Sequence, residues 1–137
     1  MKKITLEWLE GIKYKGTTDN GFSFETTSTD TKGVTPVEYL LGAVAGCTII
    51  DVVTMLDRGG YFPDSVKIEV AGEREEEYPK IYRKIHLDYK LTGDELPARK
   101  VKFAVKASNE RYCSVTHSLK EEIELTYSIY INDEKVK

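Results

Sequence analysis

An α+β fold is predicted for this chain by three observations. Period-two alternation occurs near both ends, one long apolar helical pattern lies between them, and no strand–helix–strand unit repeats. The order read from the residues is three strands, a long central helix, two strands, two helices and a strand, with the strands forming antiparallel sheet. A length of 137 residues suits one domain with a real core, spanning 1–137.

The elements follow in order. Ile4, Leu6 and Trp8 alternate with polar residues, as do Ile12 and Tyr14 after the turn at Glu10-Gly11. The Asn20-Gly21 pair inside "TTDNGFSFETT" signals a second hairpin. "STDTKGVTP" is a polar loop that delivers Thr35 as a helix cap and Pro36 as first helical residue. The helix runs from about Pro36 to Asp57 or Arg58 and stops at Gly59-Gly60. Two long strands come next: Val66, Ile68 and Val70 alternate, then Ile81, Ile85, Leu87, Tyr89 and Leu91, with Arg83 interrupting. The charged "GEREEEYPK" between them is a solvated hairpin tip. "GDELPARKVKFAVKASN" places Ala98, Val101, Ala104, Val105 and Ser108 on one helical stripe. "CSVTHSL" forms a short helix or turn, and Ile123, Leu125, Tyr127, Ile129 and Ile131 make the last strand.

Composition excludes several classes. Charged residues are 31% and apolar ones 40%, the balance of a soluble globular protein, and a net charge of −3 argues against nucleic acid. "MKKITLEWLEG" lacks the long apolar run and small-residue cleavage site of a signal peptide. Thr48, Asp51 and Thr54 break the longest apolar run, which reads as a buried helix and not a membrane span. Two cysteines without a secretory signal point to the reducing cytoplasm.

The long helix is apolar on every side: Val37, Leu40, Leu41, Val44, Ile49, Ile50, Val52, Val53, Met55 and Leu56 surround the axis. Such a helix must be covered all round. One thin sheet from so short a chain covers one side, so a homodimer with an extensive apolar interface is predicted. Gly42 and Gly46, four apart with Ala43 and Ala45 beside them, point to a close approach of another backbone near Cys47, with simple close packing of helices as the ordinary alternative. Each glycine costs about 0.8–1.0 kcal/mol against alanine inside a helix.

Cys47 lies within that helix and Cys113 opens a compact segment. Two thiols on different elements are what a dithiol redox cycle requires, one oxidised to a sulfenic acid and the other condensing with it. A small, inert apolar residue is the ordinary alternative for a cysteine in such a helix. A reactive thiol also needs a helix N-terminus or a cation. Cys47 sits about three turns into its helix, where the dipole has faded, and the charge of Asp51, one turn on, opposes a thiolate. Arg111 and His117 are the local cations for Cys113, with His117 also readable as a plain surface residue. Cys47, Cys113, His86 and His117 have no zinc-knuckle spacing. No phosphate-cradling loop, nucleophile elbow or dinucleotide fingerprint occurs, so no cofactor is expected.

With "TPVEYLLGAVAGCTIIDVVTML" around Cys47 and "ERYCSVTHSL" around Cys113, the chain resembles the OsmC/Ohr family of peroxide-resistance proteins. The two motifs cover about a quarter of the chain, and the element order fits throughout. The resemblance implies an intertwined homodimer with the long helices at its centre. It also implies a thiol peroxidase that reduces small organic hydroperoxides to alcohols. Cys47 would match the peroxide-attacking cysteine and Cys113 the resolving one, joined in a disulfide that an external dithiol reductant reopens. Two departures stand out. The family's well-studied peroxidases carry glutamate directly after the helix-opening proline; here Val37 holds that place and Glu38 is one residue late. They also use an arginine from the N-terminal region, and no arginine precedes Arg58 here. Glu38 lies about 13 Å along the helix from Cys47 on the opposite face; it could act only from the partner protomer, or else serve as a favourable charge in the first helical turn. The "CTIIDVV" run is closer to the less characterised OsmC-like branch. The rival to a peroxidase is a non-catalytic dimer that binds a small apolar or thiol-reactive ligand at its seam. The presence or absence of a cation at the Cys47 sulfur separates the two. A structural protein with two inert buried cysteines is a third reading.

Overall fold

A computed structural model describes residues 1–137. The chain falls into two compact units, Met1–Leu40 and Leu41–Lys137.

In the first unit β1 (Ile4–Glu10), β2 (Lys13–Thr18) and β3 (Ser23–Thr27) form an antiparallel sheet in that order. The Asn20-Gly21 signal holds: Gly21 takes a φ of 87° and the Thr18 amide donates to the Phe22 carbonyl at 2.8 Å. Gly16 is dictated by packing, since a Cβ there would lie 2.3 Å from the Phe24 ring. Phe24 meets Tyr39 edge-on at 5.2 Å, and the Tyr39 hydroxyl donates to the Glu25 carbonyl at 2.6 Å.

Helix α1 (Pro36–Arg58) starts in this unit and continues in the second. Its ends match the sequence signals. Thr35 and Glu38 form a capping box, with the Thr35 amide donating to Glu38 Oε1 at 2.9 Å and the Glu38 amide to Thr35 Oγ1 at 3.4 Å. At the other end the Gly59 amide donates to the Met55 and Leu56 carbonyls, and Gly60 turns the chain at a φ of 82°.

In the second unit β4 (Ser65–Arg74), β5 (Tyr82–Thr92), β6 (Glu124–Ile131) and the short β7 (Glu134–Lys135) form one sheet in chain order. Leu87, Tyr89 and Leu91 alternate into the core with Ile85. At Arg83 the register slips against β4, so that Tyr82 and not Ile81 turns inward; Arg83 itself pairs with Glu73. The expected all-antiparallel sheet needs a correction, because β5 and β6 run parallel from Lys84–Glu124 to Leu91–Ile131. The connection between them holds α2 (Ala98–Ala107), a π-helical turn (Ser108–Tyr112) and the one-turn α3 (Ser114–His117). A crossover that long is what parallel neighbours require. Val101, Ala104, Val105 and Ser108 are the buried stripe of α2 and the turn that follows, close to the stripe read from sequence.

α1 is long and apolar enough to cross a membrane by length and composition alone. Within the chain it is buried along one stripe only, at Val44, Thr48, Val52 and Leu56. Ile50 and Val53 are 65% and 41% exposed, so the chain's own residues leave the other side of the helix uncovered.

Candidate redox site

The second unit brings Cys47 and Cys113 together. Cys47 is half-buried on α1, and Cys113 is fully buried at the exit of the π-helical turn. Both thiols are free, and Cys47 is near enough to act on the Cys113 thiol. Burial pushes the Cys113 thiol above its ordinary range, hydrogen bonds from Thr116 draw it partly back, and the neighbouring Cys47 pushes it up. No cation is among the groups acting on Cys113, and no lysine, arginine or histidine hydrogen bonds to Cys47.

The π-helical turn places Cys113. Its amide donates to the Ser108 carbonyl at 2.8 Å, one residue further back than in an α-helix. The Asn109 side chain donates to the Val105 carbonyl at 2.8 Å and to the Tyr89 hydroxyl at 2.9 Å. Tyr89 in turn lies 2.7 Å from Thr48 Oγ1, and the Ser108 hydroxyl reaches Thr48 Oγ1 at 2.9 Å and Asp51 Oδ2 at 2.8 Å. This buried network joins α1, β5 and the π-helical turn beside the two thiols, and every buried side-chain polar atom has a partner. Burial raises the Tyr89 phenol, bonds from Thr48 and Asn109 lower it, and Cys113 and Tyr127 raise it. Its hydroxyl thus stays protonated at neutral pH.

A cleft of about 500 Å³ is lined by Asp51, Thr54, Met55, Arg58, Phe103 and Tyr112. Asp51 is one turn from Cys47, and Tyr112 directly precedes Cys113. Neither cysteine lines the cleft, whose apolar wall is Met55, Phe103 and Tyr112.

The remaining sequence candidates sit elsewhere. Glu38 is in the first unit, where both its oxygen bonds to Thr35 serve the helix cap and hold its carboxyl below the usual range. Arg111 stacks on Tyr112 with 5.4 Å to the ring centre, and His117 is an exposed residue ending α3. His86 bonds to Thr126 at 2.6 Å and Asp88 at 3.0 Å on the outer side of the sheet. Reading the sequence did not find Thr48, Tyr89 or Asn109. The one available signal was polar side chains inside otherwise apolar stripes, which also placed Ser108 on its stripe without a role.

Comparison with known proteins bears on the family and the fold. The family model described as OsmC-like protein covers residues 29–128, a span that includes both cysteines. Protein YhfA of Escherichia coli strain K12 is 34% identical over 125 residues, 90% of this chain and 92% of YhfA. The crystal structure of a hypothetical protein from Aquifex aeolicus VF5 superposes with a TM-score of 0.83 at 27% identity, covering 96% of this chain and 98% of that one. An organic hydroperoxide resistance protein from Elizabethkingia anophelis shares the fold at 11% identity, with a TM-score of 0.72 over 96% of each chain. By the span of the family model and by identity along nine-tenths of its length, this chain belongs to the OsmC-like family.

Proposed function

We propose that the protein is a thiol-dependent peroxidase that reduces organic hydroperoxides through Cys47 and Cys113 in the cytoplasm. The observation that supports this reading is the nearness of two free thiols that lie 66 residues apart in the chain, close enough for Cys47 to act on the Cys113 thiol. The Cys47 thiolate attacks the distal oxygen of the hydroperoxide; the O–O bond breaks and the leaving alkoxide takes a proton to become the alcohol. The sulfenic acid on Cys47 then condenses with the Cys113 thiol, forming the S–S bond and releasing water. An external dithiol returns both sulfurs to thiols and is itself oxidised. The half-buried Cys47 meets peroxide and the enclosed Cys113 resolves, and the apolar wall of Met55, Phe103 and Tyr112 takes the organic body of the substrate. The existence of an organic hydroperoxide resistance protein on the same fold supports this choice of substrate.

The working form is a homodimer closed over the bare side of α1. An added Cβ at Gly42 or Gly46 would meet nothing within 4 Å, so the chain itself gives no packing reason for either glycine. Glu38 enters the chemistry only as the partner's Glu38; in its own chain it caps the helix.

Consumption of cumene hydroperoxide with dithiothreitol as donor is the direct test. Cys47→Ser should abolish turnover, and Cys113→Ser should leave a sulfenic acid that dimedone traps. Unchanged turnover in Cys47→Ser overturns the assignment. The lack of a bonded cation at either thiol favours a second reading, a dimer that binds a small apolar or thiol-reactive ligand without turning it over. Absence of the dimedone adduct in Cys113→Ser after hydroperoxide would select it.

A further inference from the structure

We infer that Ser108 is a positioning residue for the thiol pair, tying the segment that carries Cys113 to the turn of α1 that carries Cys47. The inference rests on reading Cys47 and Cys113 as a redox pair. Ser108 is fully buried. Its carbonyl accepts the Cys113 amide at 2.8 Å, and its hydroxyl reaches Thr48 Oγ1 at 2.9 Å and Asp51 Oδ2 at 2.8 Å. Thr48 follows Cys47 directly and Asp51 lies one turn beyond it. A single short residue thus holds the backbone of one cysteine and the helix surface around the other. Tyr89 braces the same junction from β5, through Thr48 on one side and Asn109 on the other.

Serine suits this place because its hydroxyl is carried on one carbon, which leaves little freedom between the two anchor points. Alanine would fill nearly the same space but take one hydrogen-bond partner from Asp51 and one from Thr48, which would keep only Tyr89. The turn could then relax away from α1. Two sulfurs held close together behave as a high effective concentration of thiol, and small displacements reduce that advantage steeply. Ser108 therefore acts on how readily the disulfide closes, while neither of its polar groups need touch a reacting sulfur.

Exchange with glutathione measures this without peroxide. Protein dithiol and glutathione disulfide give protein disulfide and two glutathione molecules; the cysteine sulfurs are oxidised, and their two protons end on the glutathione thiols. The full chain is equilibrated in glutathione buffers, quenched with acid and mapped by mass spectrometry. Ser108→Ala and Thr48→Val, which removes a hydroxyl at nearly constant volume, should each lower the exchange constant by roughly tenfold or more, while Thr48→Ser, which keeps the hydroxyl, should stay within about threefold of the natural protein. An unchanged constant in both Ser108→Ala and Thr48→Val overturns the inference, as does an equal loss in Thr48→Ser. If circular dichroism shows Ser108→Ala unfolded, the two Thr48 variants decide alone. A natural protein that forms no Cys47–Cys113 disulfide in any buffer overturns both this inference and the redox reading. One that forms the disulfide but consumes no hydroperoxide overturns only the peroxidase reading.

Discussion

The two sides of α1 keep different company. Val44, Thr48, Val52 and Leu56 are buried by the chain's own residues, and the one polar side chain among them finds hydroxyl partners on Tyr89 and Ser108. Ala43, Ile50 and Val53 on the other side are exposed, and nothing in the chain approaches Gly42 or Gly46. Cys47, half-buried, lies between the two. The inward side is explained by intramolecular packing and hydrogen bonding. The outward side has the same apolar character without a partner to justify it, so its sequence answers to something beyond the single chain.

Charging the outward side should have the largest effect. Ile50→Asp would place a carboxylate in the proposed interface and should weaken self-association by roughly a hundredfold or more. Light scattering across a dilution series reads this; an unchanged dimer would remove the outward side from the interface. On the inward side, Leu56→Ala at a position 2% exposed should cost about 3 kcal/mol in urea unfolding of equally associated samples. A loss below about 1 kcal/mol would mean that the inward side is less tightly packed than its burial implies.

The smallest effect separates the buried thiol from its half-buried neighbour. Because burial lifts Cys113 above its ordinary value of 9.0, the folded state keeps this proton at a pH where the unfolded chain releases it. The stabilisation is complete below about pH 9 and is lost as pH rises through the higher folded value. Tyr89, raised from 10.0 by burial, adds a similar slope further up. Urea unfolding from pH 8 to 11 should thus fall less steeply in Cys113→Ala than in the natural protein. Identical slopes would show that Cys113 titrates alike in both states.

These two sides also mark what was legible beforehand. Local signals were read well: Thr35 and Pro36 at the start of α1, Gly59-Gly60 at its end, the Asn20-Gly21 turn, and the interruption at Arg83, which proved to be a shift in pairing. Each depends on a few neighbouring residues. The parallel pairing of β5 with β6 was missed because alternation tells which side of a strand is buried and nothing about its neighbour's direction. The two cysteines could be singled out by chemistry and by a family resemblance. The hydroxyl network around them could not, since Thr48, Tyr89 and Ser108 are separated by up to 60 residues and each reads alone as an ordinary residue of its element.

The π-helical turn makes the meeting of the thiols depend on a single residue of chain length. Were α2 to continue with ordinary spacing, residue 113 would be rotated by about 100° around the helix axis. The buried stripe of Val101, Ala104 and Val105 would survive such a change, because it lies before the turn. Shortening the turn by one residue could therefore preserve a well-folded core while uncoupling its two sulfurs. Helix length here sets where the second sulfur sits, separate from the packing that stabilises the fold.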